Sequence, residues 1–178
     1  MSQSKKEFSK LKLAMSLDYI FGRGTSKKKA INYDELEYHF SRKTGRLRYV
    51  LDPKTKKVLF SFRANGSIAP TIEGAKLLLG SSEIKTRANK RPRFVVTVLD
   101  GITELASQGK TIFCKHVVAC HPSLRAGEDV LILNEHGNLL AVGRSMLSSS
   151  AMKQFKRGSA VKVREGISSR NGSGTSII

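Results

Sequence analysis

The sequence predicts an α+β fold in two small domains, and three observations carry that expectation. The length of 178 residues suits one large domain or two small ones, each with a modest core. Hydrophobic periodicity switches from helical to two within the first half. The second half holds many short strand-like runs with two small helices, the pattern of a compact mixed barrel. Hydrophobic residues make up 39% of the chain, low but above the level of a disordered polypeptide.

In the first half, Phe8, Leu11 and Met15, and then Leu11, Ala14, Leu17 and Phe21, recur at helical spacing. A helix is expected over residues 8–20, ending at "FGRG". Three alternating segments follow: Tyr38 and Phe40, then Leu47, Tyr49 and Leu51, then Val58, Phe60 and Phe62. The intervening "SRKTGR" and "LDPKTKK" are turn chemistry, so the segments form an antiparallel meander with one aromatic face. Asn65-Gly66 closes the last strand, and "TIEGAKLLLG" gives a helix over Thr71 to Leu79 with Gly80 at its end. The small antiparallel sheet with helices occupies residues 1–82. A basic linker follows over 83–91, within the Pro-containing stretch "SSEIKTRANKRPR" that also holds Arg93, and Arg91 lies at its end.

The second domain is expected over 92–167, with a flexible tail at 168–178. It opens with the strand "RFVVTVL". Asp100 is placed to cap the helix "GITELASQ", and Gly109 to end it. The runs "TIFCKHVVAC", "AGEDVLIL" and "LLAVGRSML" then read as strands, "SSSAMKQFKRG" as a short helix and "SAVKVREG" as the last strand.

Charge is the strongest functional signal. Lys and Arg number 32 against 14 Asp and Glu, a formal charge of +18. Residues 1–90 hold 20 basic and 8 acidic groups, and residues 91–178 hold 12 and 6, net +12 and +6. Heat adaptation adds Lys and Arg too, but adds Glu with them, so a polyanion is the better explanation. On the second meander strand, Arg46, Arg48 and Val50 oppose the apolar face of Leu47, Tyr49 and Leu51, which makes the outward face cationic. Tyr38 and Tyr49 are candidates for stacking on bases, weighed against an ordinary core role. No apolar run of about 18 residues exists, and the charged N-terminus lacks the apolar region of a secretory signal. The expectation is a cytoplasmic protein with no membrane partner.

Both cysteines and two of the four histidines fall within "TIFCKHVVACHP", residues 111–122. Zinc needs four ligands converging at about 2.0–2.3 Å. On a straight strand Cys114 and Cys120 would lie about 20 Å apart, at about 3.3 Å per residue, too far to share an ion. Cys114 with His116 could supply two ligands to a site completed elsewhere. The alternative is a half-buried strand that uses cysteine as a small apolar residue. A thiol nucleophile needs a base within reach, and the sequence offers only His116 nearby. The acidic residues are scattered, and "FGRGTSKKK" matches neither phosphate-loop pattern. No catalytic residue, metal or cofactor is expected.

The stretch "SQGKTIFCKHVVACHPSLRAGEDVLILNEHGNLLAVGRSMLSSSAMKQFKRGSAVKVREG" resembles the PUA domain, a pseudo-β-barrel RNA-binding module. The Gly109-Lys110 turn, Gly127, Gly143 and the final strand fall in that module's order. "DYIFGRG", "SRKTGRLRYVLD" and "FSFRANGSIAPTIEGAKLLL" are similar to the segment preceding the PUA domain in archaeosine tRNA-guanine transglycosylases. Ala151 departs from the acidic residue that would complete a capping box after Ser148.

The resemblance implies an archaeal, cytoplasmic protein that binds RNA, with tRNA or another structured RNA as partner. The groove it implies runs between the first PUA helix, the Gly109-Lys110 turn and the last strand. Gly109, Lys110, Lys115, Arg144, Arg157, Lys162 and Arg164 are the candidate contacts there, extended by Arg46, Arg48, Arg91 and Arg93. The family's catalytic barrel and zinc motif have no counterpart in these residues, so base exchange does not carry over. Two forms of the reading are open: a free RNA binder, or a subunit working with a separate catalytic chain or with the ribosome.

Overall fold

Helix α1 (Gln3–Phe21) begins five residues before the expected start. It buries Ser9, Leu13, Leu17 and Phe21 against the sheet, while Phe8, Leu11, Met15 and Tyr19 face solvent. Apolar residues occur on both sides of this helix, so spacing alone does not select the buried stripe. After Phe21 the Asp18 carboxylate accepts hydrogen bonds from the Ser26 amide and hydroxyl, both at 2.8 Å. These bonds hold the Asp18 carboxyl below the usual carboxylate range.

The computed structural model describes residues 3–27, 31–80 and 92–169. They form two compact units, the first ending at residues 92–94 and the second running from Val95. The expected linker 83–91, Arg91 included, lies outside the described residues. So does the tail from 170 onward. Phe94 joins the first unit by packing edge-to-face on Phe21, with centroids 5.0 Å apart.

In the first unit, β1 (Glu37–Phe40), β2 (Leu47–Leu51), β3 (Val58–Phe62) and β4 (Ile68–Pro70) form an antiparallel sheet in sequence order. The short β4 was not expected. Val50, assigned from sequence to the outward cationic face, is instead fully buried between its partners Tyr38 and Phe60. A register shift between Val50 and Leu51 lets consecutive residues both bury. Tyr38 is likewise core, its hydroxyl donating to the Tyr33 carbonyl at 3.0 Å, and burial pushes its phenol upward. Helix α2 (Ile72–Leu79) follows, capped by Thr71, whose hydroxyl accepts from the Gly74 amide at 3.2 Å.

The second unit consists of β5 (Val95–Val98), a 3-10 turn (Asp100–Ile102), α3 (Thr103–Ser107), β6 (Ile112–Phe113), a 3-10 turn (Cys114–His116), β7 (Val117–Cys120), β8 (Asp129–Leu133), β9 (Leu139–Ser145), α4 (Ser149–Gln154) and β10 (Ser159–Gly166). The sheet order is β6-β10-β9-β8-β5-β7, with β5 and β8 parallel and the other neighbours antiparallel. The two edges, β6 and β7, are separated in sequence by three residues. The sheet must therefore curl until its edges meet, which makes it a near-closed barrel. Every residue of β5 and β8 is buried, as befits central strands covered on both faces.

That closure corrects the reading of residues 111–120 as one strand. The chain steps from one edge to the other through Cys114–His116, where the Cys114 amide donates to the Gly158 carbonyl and the His116 carbonyl accepts from Leu99, each at 3.0 Å. The straight-strand separation of Cys114 and Cys120 does not apply. Both are buried free thiols, and Cys120 Sγ lies 3.3 Å from Ser149 Oγ. Asp100 also departs from expectation. It makes no side-chain cap and instead accepts from the Glu135 amide at 3.2 Å, with His136 Nε2 3.0 Å away.

Candidate nucleic-acid interface

The loop from α3 to β6 is fixed by its own backbone. The Gly109 amide donates to the Ala106 carbonyl and the Lys110 amide to the Leu105 carbonyl, each at 3.0 Å, ending the helix with Gly109 at φ +88°. That left-handed conformation disfavours any residue with a Cβ. The end of β10 lies against this loop so closely that a Cβ on Gly166 would sit 2.0 Å from the Ser107 carbonyl oxygen. Ser168, assigned to the mobile tail, donates its amide to the same carbonyl at 2.9 Å. Lys110 projects from the loop, exposed.

Along the barrel wall, Arg144 on β9 pairs with Lys162 on β10, and both are exposed. Arg144 Nε donates to the Gly127 carbonyl at 2.8 Å. Arg164, two residues from Lys162 on β10, reaches the buried Asp129 carboxylate at 2.8 Å. The arrangement brings Arg144, Lys162 and Arg164 onto neighbouring strands. It also gives Arg164 a structural duty, because Asp129 has a side chain only 4% exposed and an unpaired buried carboxylate is costly.

Lys115 and Arg157 belong to a different feature, an open hollow of about 860 Å³. Its floor is Phe113, Val117, Met152 and Phe155; Lys115, Lys153, Lys156 and Arg157 stand around it. Phe113 and Phe155 are 45% and 53% exposed, an unusual outlay of aromatic surface. Lys153, Lys156, Phe113 and Phe155 were not singled out from sequence. The alternation of basic and aromatic residues in "KQFKR", residues 153–157, is the signal that could have found them. The hollow exists because Phe113 pairs with Ser159, joining two segments some 40 residues apart in the sequence.

The first unit disposes of its charge differently. Lys56 pairs with Glu37, Lys10 with Asp34, and Lys57 and Lys76 with Glu73. The Lys56 ammonium beside it holds Glu37 below its ordinary range, and Lys10 does the same for Asp34. Arg46 and Arg48 are exposed on or beside β2, and Arg48 leans on Tyr49, its Nε 3.1 Å from the hydroxyl. Arg93 is half-buried in the first unit.

Among the described residues no group of three or more His, Cys, Asp or Glu is arranged to hold a metal ion, and no helix is long and apolar enough to cross a membrane.

A near-closed mixed barrel with a glycine turn against its last strand and a basic wall is the architecture of the PUA module, and residues 94–167 match the PUA domain family. The second unit is thus similar to the PUA domain over almost its whole described length. Residues 12–85 match the patch-forming domain C2 of tRNA-guanine transglycosylase, so the two units together resemble one region of that enzyme family. A tRNA-guanine(15) transglycosylase of Methanocaldococcus jannaschii is 39% identical over 71% of this chain and 18% of its own length. Those of Methanococcus aeolicus and Methanococcus vannielii are 38% and 33% identical, over 71% and 92% of this chain and 19% and 24% of theirs. The chain thus spans about a fifth of the length of the relatives it matches.

Among solved structures, a hypothetical protein from Pyrococcus horikoshii shares the fold with a TM-score of 0.67 at 23% identity, over 93% of this chain and 92% of that one. A PUA-domain protein from Aeropyrum pernix gives 0.60 at 18% identity, over 94% and 84%.

Proposed function

We propose that this chain is a noncatalytic RNA-binding protein that grips tRNA or another structured RNA through its PUA unit. The observation that carries the reading is that the last strand of the barrel both holds the Gly109-Lys110 loop at its end and carries the exposed Lys162, paired with Arg144, further along. A loop whose backbone is exposed at a glycine admits phosphate closely, and lysines and arginines on a rigid sheet give A-form RNA a charged track. Relatives named as tRNA-guanine(15) transglycosylases support tRNA as the RNA; in this reading the protein acts in the cytoplasm. Arg46, Arg48, Arg91 and Arg93 extend the contact in this reading.

The test is Lys110→Glu, measured by fluorescence anisotropy against purified tRNA at moderate salt. Reversing one charge at the loop is expected to weaken binding at least about tenfold, since phosphate contacts dominate such affinities. Unchanged affinity would remove the loop from the interface.

A second reading, an RNA-binding subunit of a split tRNA-modification enzyme, is favoured by one observation. Helix α1 presents Phe8, Leu11, Met15 and Tyr19 along one exposed face, between 58% and 89% accessible, where a solvent-facing helix would carry polar residues. The occupant proposed for that face is a polypeptide carrying the catalytic part of the transglycosylase relatives. Co-purification with such a chain, abolished by Phe8→Glu with Met15→Glu, supports this reading. Co-purification with ribosomal subunits instead would point to a translation-linked factor.

A further inference from the structure

The hollow beside α4 is separate from the Gly109-Lys110 loop, and we infer that it seats one unpaired nucleotide of the bound RNA. The base lies on the apolar floor, and the flanking phosphates lie on the surrounding cations. This rests on the RNA-binding reading and adds a site to it.

Three observations carry the inference. The ten lining residues include four cations and no carboxylate. The hollow of the first unit, about 270 Å³, is by contrast lined by Glu35, Asp52 and Glu73 along with Lys57 and Lys76, and both lysines pair with Glu73. The cations of the larger hollow have no such partner in its lining, so an anion is the complementary ligand.

The floor is the second observation. Two phenylalanine side chains, each about half accessible, line the same hollow as four cations. An apolar protein segment seated there would desolvate four cations at a cost. A nucleobase offers a flat π-face to the rings and brings its own phosphate to the cations, which is how single-stranded nucleic acid is held without sequence readout. A volume of about 860 Å³ also falls in the range of small-molecule sites, roughly 300–1,000 Å³.

Continuity is the third. Lys110 and Phe113 are three residues apart, about 10 Å at about 3.3 Å per residue, and β6 joins them. A single strand leaving the loop reaches the hollow directly.

The experiment uses the full chain with methyl-labelled methionine. Met152 forms part of the floor, and its resonance is assigned by Met152→Leu. Each of the four ribonucleoside 5′-monophosphates is titrated against ribose 5-phosphate as the control lacking a base, and tRNA affinity is measured in parallel. The expected result is a Met152 shift with nucleotides that ribose 5-phosphate does not reproduce. Phe155→Ala should weaken it at least about fivefold, in line with the worth of one base stack, and should lower tRNA affinity as well. Phe155 is exposed, so the variant should fold; Phe113→Ala provides an independent second test.

An equal response to ribose 5-phosphate would overturn the inference in favour of a plain anion site. No nucleotide response, with tRNA affinity unchanged by Phe155→Ala, would also overturn it and leave the floor to a protein partner. In either case tRNA binding by the wild type would stand. Failure of the wild type to bind tRNA at all would instead bring down the RNA-binding reading, and this inference with it.

Discussion

The first unit holds most of the chain's positive charge, yet the second holds the better-formed candidate sites. In residues 1–90 the net charge is +12, against +6 in residues 91–178. In the first unit, however, Lys10, Lys56, Lys57 and Lys76 are engaged with its own carboxylates. In the second, four cations line one acid-free hollow, and Arg144 and Lys162 pair across β9 and β10. What makes a site is therefore local arrangement on a rigid sheet, more than the count of charges.

The largest expected effect tests the framework of the first unit. Phe60 is fully buried at the centre of its sheet, and Phe60→Ala should cost about 3–5 kcal/mol. The chain has no tryptophan and its four tyrosines are Tyr19, Tyr33, Tyr38 and Tyr49. Tyrosine fluorescence during urea unfolding thus reports on the first unit specifically. A midpoint shift worth less than about 1 kcal/mol would show that the buried row around Phe60 does not hold that sheet together.

The second test separates structural from ligand-facing cations on β10. Arg164→Ala removes an ion pair of the buried Asp129 carboxylate and should destabilise by about 2–3 kcal/mol. That is below the full cost of breaking a buried pair because Arg164 is itself 37% exposed. Lys162→Ala, two residues away and exposed, should change stability by less than about 0.5 kcal/mol while weakening RNA binding. Equal losses of stability from both substitutions would contradict this division of labour.

A smaller effect lies at alkaline pH. Burial raises the Tyr33 phenol to about 12, with the Asp18 charge adding to it, and burial raises Tyr38 as well. A group whose folded pKa is raised contributes stability that is intact below its unfolded value, about 10, and lost as pH rises through the folded value. Stability of the first unit should decline between about pH 10 and pH 12 as these phenols ionise. Phenolate absorbance followed together with circular dichroism checks this: ionisation of Tyr33 and Tyr38 at the free-tyrosine pH with the fold intact would contradict it.

The first three strands of the meander and the long strands of the second unit were legible because their side chains alternate or run continuously apolar, and the helix start at Ser148 because its hydroxyl finds the Ala151 amide; the Thr71 cap and β4 were not read from sequence. Which face of α1 is buried was not legible, because apolar residues occupy both faces and only the packed structure chooses between them. Val50 was misplaced because a bulge breaks the period of two. Residues 111–120 were read as one strand because no local signal announces a barrel seam; the three-residue step follows only from which edges must meet. The glycine loop was legible through its motif. The hollow was not, because Phe113 and Lys115 join Lys153 to Arg157 only through the pairing of β6 with β10.

The measurement that bears most directly on the central claim is anisotropy binding of intact tRNA and of the same tRNA trimmed of its single-stranded 3′ end, across a salt series. The account predicts a preference for intact tRNA that persists at high salt, with log affinity falling against log salt by about 0.7–0.9 per phosphate neutralised. Equal binding of both RNAs that vanishes as salt rises would contradict it, and would reduce the +18 charge to a nonspecific grip on polyanions.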